Sequence, residues 1–153
     1  MDVKPKSRET KTAHLIAYSS LIIAILYAIH LFIVLDGSVI KQLLLNSEQK
    51  PSENAVGTIK NSFQFTGIMY ILANLVGIIA IWNRHTHLWW FMFAVFMSQI
   101  LYNVVNIGPV YGAILDVKAG INLLPLTVVL IMSFVLAIYM LTVSIKRKST
   151  FNR

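Results

Sequence analysis

Long apolar stretches alternate with short polar ones along the chain. Asp, Glu, Lys and Arg are absent from residues 12–35, 61–83, 85–115 and 119–145. A helix needs about 20 apolar residues to cross the hydrocarbon core of a bilayer, so each stretch is long enough for one span. The pattern predicts an all-α, polytopic integral membrane protein, a four-transmembrane-helix bundle with spans near 13–35, 62–82, 88–107 and 122–145.

The composition agrees with a membrane protein. Of the 153 residues, 57% are hydrophobic and only 12% are charged, whereas about a quarter of a typical soluble domain is charged. We expect residues 1–153 to form a single membrane domain. The net charge of +7 does not indicate a nucleic-acid partner, because its excess lies in the two ends of a membrane protein.

The distribution of basic residues predicts an orientation. Basic tails occupy residues 1–12 and 146–153, whereas the loop at 36–61 has equal numbers of acidic and basic side chains. By the positive-inside rule, both termini and the hairpin that contains Arg84 are cytoplasmic (N-in/C-in), and the 36–61 loop is outside. The chain has no cysteine and no N-x-S/T acceptor, which suits a bacterial plasma (inner) membrane. We expect the first span to be retained, because its apolar run is too long for a signal peptide.

Small residues recur at helical spacing within the spans. Such ridges let helix backbones approach closely, as transmembrane helices usually pack. The ridges comprise Ala17, Ser20, Ala24 and Ala28 in the first span, Gly67, Tyr70, Asn74 and Gly77 in the second, and Ser133, Ala137 and Ser144 in the fourth.

The connecting segments carry their own signals. The outer loop begins DGSVIKQLLLN, where Ser38 is expected to cap a short amphipathic helix that lies on the membrane surface or covers the bundle. Gly108 and Pro109 are expected to end the third span, and Pro125 falls in the first turn of the fourth. Three tryptophans flank the NRHTH hairpin and mark a membrane interface.

The third span carries an unusual set of amides. Gln99, Asn103 and Asn106 are spaced by four and three residues, so they share one side of a helix. One interpretation is structural: together with Gln64 and Asn74 they fix the register between the second and third spans. The other is functional: the same amides, with Tyr27 and His30 of the first span, line a small polar cavity in the outer leaflet. The full candidate ligand-binding set is His30, Tyr27, Gln64, Asn74, Gln99, Asn103 and Asn106.

The histidines offer two further hypotheses. His30 lies inside a span, where one hypothesis makes it a proton carrier or a pH switch. The favoured interpretation is structural: a lone histidine near a helix end bonds a neighbour or reaches the headgroups. His14, His85 and His87 are weak candidates for a metal site at the cytoplasmic surface. No cysteine accompanies them and Glu9 is the nearest carboxylate, so structural or solvated histidines are favoured, and no cofactor is expected.

The sequence contains none of the common catalytic patterns. The spans have no Asp or Glu for acid–base chemistry, and the hydrolase, zinc-protease and P-loop motifs are absent. We therefore expect a protein that is not an enzyme.

Three functions remain open. The favoured one is an accessory, regulatory or immunity-type subunit that binds another membrane component or a lipophilic ligand, with the lipid bilayer and another membrane protein or a second copy of the chain as partners. The alternative is a small oligomeric transporter or channel for a neutral or anionic solute, which would use the outer amide and histidine cluster. The most remote is a metal- or haem-binding redox subunit.

Overall fold

The computed structural model describes residues 8–147 and residue 151; most of these residues are helical, and no strand occurs among them. The helices are α1 (Arg8–Ile29), α2 (Gly37–Asn46), α3 (Glu53–Val76), α4 (Thr86–Val117) and α5 (Leu124–Arg147). A π-helical turn, His30–Val34, continues α1; a 3-10 turn, Gly77–Ile81, continues α3; and another, Gly120–Leu123, precedes α5. Most of the two predicted basic tails, at 1–7, 148–150 and 152–153, lies outside the described residues.

Four of these helices are long and apolar enough to cross a membrane: Arg8–Val34, Glu53–Ile81, Thr86–Val117 and Gly120–Lys146, with their continuing turns included. Many large apolar side chains on these helices are exposed on the outside of the bundle, including Phe65, Val105 and Ile131. Such a surface requires hydrocarbon rather than water around it. The chain is therefore an all-helical, multi-pass membrane protein.

Contacts between distant parts of the chain define one end of the bundle, which we call the termini end. The Thr12 hydroxyl lies 3.1 Å from that of Tyr139, which joins the beginning of α1 to the end of α5. The indole Nε1 of Trp89 donates to the Ser144 hydroxyl at 3.0 Å and so brings the beginning of α4 to the same end. The ring of Phe151 packs edge-on against Trp89, with the centroids 5.0 Å apart.

Small residues allow α1 and α3 to pack closely. A methyl group added at Gly77 would lie 2.7 Å from Cβ of Ser20. One added at Gly67 would meet the Leu31 side chain. On α5, Ser133 is buried within the chain's own core. These small residues are therefore used for packing inside the bundle.

Two local predictions are wrong. Asp36, not Ser38, caps α2: its carboxylate accepts from the backbone N–H groups of Ser38 and Val39 at 3.1 Å, and the Ser38 hydroxyl also donates to it. The third span does not end at Pro109, because α4 continues to Val117.

Burial explains why α4 continues past its proline. Val110, Ala113 and Ile114 follow Pro109 and are buried, packed in one cluster with Leu31 of the π-helical turn. Membrane helices tolerate proline where neighbouring helices hold the segment in place. The packing of this last part of α4 therefore overrides the local preference for a break.

Polar contacts tie α1, α2 and α4 together at the end opposite the termini end. Lys118 Nζ lies 2.7 Å from Asp36 and donates to the carbonyls of Ile33 at 3.1 Å and Val34 at 3.2 Å. Partial burial alone would raise the pKa of Asp36, but hydrogen bonds from Lys118, Ser38 and the Val39 backbone, with the Lys118 charge, lower that pKa to about 2.

The predicted 36–61 loop is mostly helical. It contains α2 and the first turns of α3, so residues 47–52 alone connect the two helices. The four apolar residues expected on one face of the short helix are all buried: Val39, Ile40, Leu43 and Leu44. This short helix therefore packs against the rest of the bundle through its apolar face.

Candidate functional site

A small polar cavity lies between α1, its π-helical turn and α4. Tyr27, His30, Asn103 and Asn106 line it, with apolar neighbours from α3 and α5. The Tyr27 hydroxyl donates to the Asn103 carbonyl oxygen at 3.3 Å. The cavity volume is about 10 Å³, which is roughly what the centre of one water molecule needs. Four of the seven candidate residues therefore line one cavity, but the space holds no larger solute.

His30 is the polar group of this cavity that is least satisfied. It is 2% exposed, and its Nδ1 atom has no hydrogen-bond partner among the described residues. Its ring stacks on Tyr27 with centroids 6.0 Å apart. It also begins the π-helical turn, in which the Leu35 N–H donates to the His30 carbonyl, five residues earlier, at 2.9 Å. Such π-helical turns occur frequently at functional sites.

Asn74 and Gln99 form a second polar layer, between α3 and α4, which Asn103 connects to the cavity. Asn74 Nδ2 donates to Gln99 Oε1 at 2.9 Å and to the Tyr70 carbonyl at 2.8 Å. Asn103 Nδ2 donates to the Gln99 carbonyl at 2.8 Å. Asn74 Oδ1 and Gln99 Nε2 are buried without a partner in the described part of the chain. This arrangement connects two helices, as the structural interpretation of the amides expects.

The remaining candidates lie elsewhere. Gln64 is half-buried on α3, and it is the neighbouring Phe63 that lines the polar cavity. His85 and His87 stack on each other 4.8 Å apart, whereas His14 stacks on Tyr18. Within residues 8–147 and 151, no three His, Cys, Asp or Glu side chains come together in a group that could hold a metal ion.

Two open cavities lie between α3 and α4, and neither was predicted from the sequence. The first, about 460 Å³, is lined by Phe65, Thr66, Met69, Tyr70, Ala73, Phe91, Ala94, Val95 and Ser98. The second, about 500 Å³, is lined by Val76, Ile79, Asn83, His85, His87, Leu88 and Phe91. Both volumes fall within the range of ligand pockets, about 300–1,000 Å³. Because Phe91 lines both, we treat them as one feature and call it the α3–α4 groove.

The α3–α4 groove is apolar for most of its length and faces the hydrocarbon. Phe65, Met69 and Phe91 are exposed along it, and Ala73 and Ala94 leave space where larger side chains would fill it. The hydroxyl groups of Tyr70 and Ser98, 2.7 Å apart, lie at its wall. Small residues on both α3 and α4 could have indicated a groove between these helices, but their spacing does not show which faces of the two helices meet.

Fold and cavities together define the class of protein: a small, multi-pass helical membrane protein with a lipid-facing groove and a closed polar cavity. No protein-family model, curated protein or solved structure matches the chain.

Proposed function

We propose that this chain is a non-catalytic membrane protein, an accessory or regulatory subunit that binds another membrane component or a lipophilic ligand in the α3–α4 groove. The observation that carries the proposal is the groove itself, whose apolar inner part has a volume of about 460 Å³. A cavity lined by apolar side chains and facing hydrocarbon suits an acyl chain, an apolar small molecule or an apolar helix face.

The polar cavity supports this choice by its size. At about 10 Å³ it accommodates a water molecule and not a transported solute. The amides of Asn74 and Gln99 bond each other between helices and so serve packing. Binding from the bilayer therefore fits the chain better than passage of a solute through it.

A second candidate function rests on His30. Its unpartnered Nδ1 and the π-helical turn that it begins are the observations that favour a small oligomeric transporter for a neutral or anionic solute. In that case the polar cavity would widen in another conformation. Substitution of His30 by Leu would then abolish flux in reconstituted vesicles without lowering expression, whereas the favoured function predicts no flux in either protein.

The orientation and the membrane are part of the proposal. We infer that the termini end is cytoplasmic, because among the described residues it carries Arg8, Lys11, Arg84 and Lys146 against the single carboxylate of Glu9, and basic residues are retained on the cytoplasmic side. The plasma membrane of a bacterium is the proposed location.

Co-purification with a filled groove tests the proposed function. Ala94 is exposed and lines the groove, so Ala94→Leu fills the space without entering the core. The matched control is Val105→Leu, at a position that is 79% exposed on the same helix and lies outside the groove. Each protein is purified in a mild detergent and everything bound to it is identified by mass spectrometry. We expect a stoichiometric component with the wild type and with Val105→Leu that is lost with Ala94→Leu. Equal recovery with all three proteins contradicts the proposal.

A further inference from the structure

We infer that the occupant of the α3–α4 groove is an anionic phospholipid, with one acyl chain between the helices and the headgroup at the hairpin that joins them. This inference rests on the proposed function and specifies its ligand. Three observations support it: the continuity of the groove, its length, and the charge at the termini end.

The groove continues from the membrane interior to the hairpin. Phe91 lines both parts. Ala73 lines the first part and Val76 the second, and they lie within one turn of α3, so the second part follows directly on the first along the two helices. There the lining changes in character, because the polar side chains of Asn83, His85 and His87 border it. A molecule that follows this path must be apolar along most of its length and polar at one end.

The length of the path corresponds to one leaflet. From His87 to Ser98 along α4 there are eleven residues, about 16 Å at about 1.5 Å per residue. The hydrocarbon core is about 30 Å thick, so the path covers roughly half of it. Near its inner limit the hydroxyl groups of Tyr70 and Ser98 are paired at 2.7 Å. A single acyl chain fits this depth, whereas a helix that crosses the membrane would extend well beyond it.

The charge around the open end selects the headgroup. Arg84 lies between two groove-lining residues, Asn83 and His85, and is itself partly buried. Each basic residue close to a membrane surface favours anionic lipid by about 1 kcal/mol, or about fivefold in affinity. A phospholipid headgroup with a net negative charge, such as a phosphate that carries glycerol, therefore fits better than a zwitterionic headgroup.

The test is a lipid titration of the purified full-length chain, read by native mass spectrometry after release from detergent micelles. The two probes are phosphatidylglycerol and phosphatidylcholine with the same acyl chains. The headgroup variant is Arg84→Gln with His87→Gln; His85 is kept because its side chain accepts a hydrogen bond from the His87 backbone N–H at the beginning of α4. The matched control is Lys146→Gln, which removes a cation at the same end on a helix that does not line the groove.

We expect the wild type to bind one phosphatidylglycerol at least about fivefold more tightly than phosphatidylcholine. The headgroup variant should lose this preference, Lys146→Gln should keep it, and Ala94→Leu should weaken binding of both lipids. Equal binding of the two lipids, with both weakened by Ala94→Leu, overturns the inference but leaves the proposed function standing. A wild-type dimer that Ala94→Leu dissociates assigns the groove to a second copy and also overturns it. If Ala94→Leu changes neither lipid binding nor association, the inference fails and the proposed function fails with it.

Discussion

The buried amide pair between α3 and α4 gives a prediction about stability: removing both amides should cost less than removing either one. Asn74 and Gln99 are both fully buried and share one hydrogen bond of 2.9 Å, while Asn74 Oδ1 and Gln99 Nε2 have no partner in the described part of the chain. The perturbation is a double-mutant cycle of Asn74→Leu, Gln99→Met and the combination. Met and Leu approximate the shapes of the amides that they replace, so the cycle changes polarity more than volume.

The magnitude follows from what each variant leaves behind. A hydrogen bond between membrane helices is worth about 0.6 kcal/mol on average. Each single variant also leaves the other amide buried with fewer partners, at a cost of about 1–3 kcal/mol. We therefore expect each single variant to lose about 1.5–3 kcal/mol of stability. The double variant removes both amides and their unpaired atoms, so it should lie within about 1 kcal/mol of the wild type.

The assay is reversible unfolding of the purified chain in mixed micelles with increasing SDS, followed by far-UV circular dichroism. The free energies of the four proteins give the interaction energy directly. We expect the double variant to be more stable than either single variant. Additive losses, with the double variant the least stable, would refute it and would mean that the amides contribute through separate contacts.

Two further predictions concern packing and charge, each measured by the same unfolding assay. Gly77→Ala should destabilise the chain by about 1–3 kcal/mol because the added methyl overlaps Ser20. The control Gly112→Ala, where the space is open, should be neutral or stabilising by up to about 1 kcal/mol. Equal effects of the two substitutions would contradict the tight approach of α1 and α3. Because the pKa of Asp36 falls to about 2 in the folded chain, its ion pair should stabilise fully above about pH 4 and lose this effect as the pH falls toward 2. Lys118→Met should therefore cost about 1 kcal/mol more at pH 6 than at pH 2, a value discounted for the partial exposure of the pair, and a pH-independent cost would contradict the ion pair.

The spans could be predicted because the signal is local and strong. A charge-free stretch of sufficient length has one physical solution in a membrane, a helix that pairs its own backbone groups. The same holds for the amide spacing, since Gln99 and Asn103 are one turn apart and are both buried. Local preference failed at Pro109, where the buried residues that follow it keep α4 helical. Tertiary packing there outweighs the tendency of proline to end a helix, and such packing cannot be read from one segment of the sequence.

The register between helices could not be predicted. Spacing within a helix identifies a face but does not say which residue of another helix faces it, so Gln64 and Asn74 were equally good partners for the amides of the third span. The structure pairs Asn74 with Gln99. The α3–α4 groove escaped prediction for the same reason: Ala73 and Ala94 leave a space only because their two helices meet in one particular rotation.

The most direct test of the central claim is site-specific photo-cross-linking in native membranes. A benzophenone side chain replaces Phe91, which is 45% exposed in the groove, or in the control Phe134, which is 56% exposed on α5. After irradiation, intact-mass analysis identifies what each position has captured. If the groove binds a membrane component, we expect one discrete adduct at position 91 in clear excess over position 134, with the mass of a lipid or another bound membrane component. The same weak mixture of adducts at both positions would mean that the groove holds only bulk lipid, and would contradict the account.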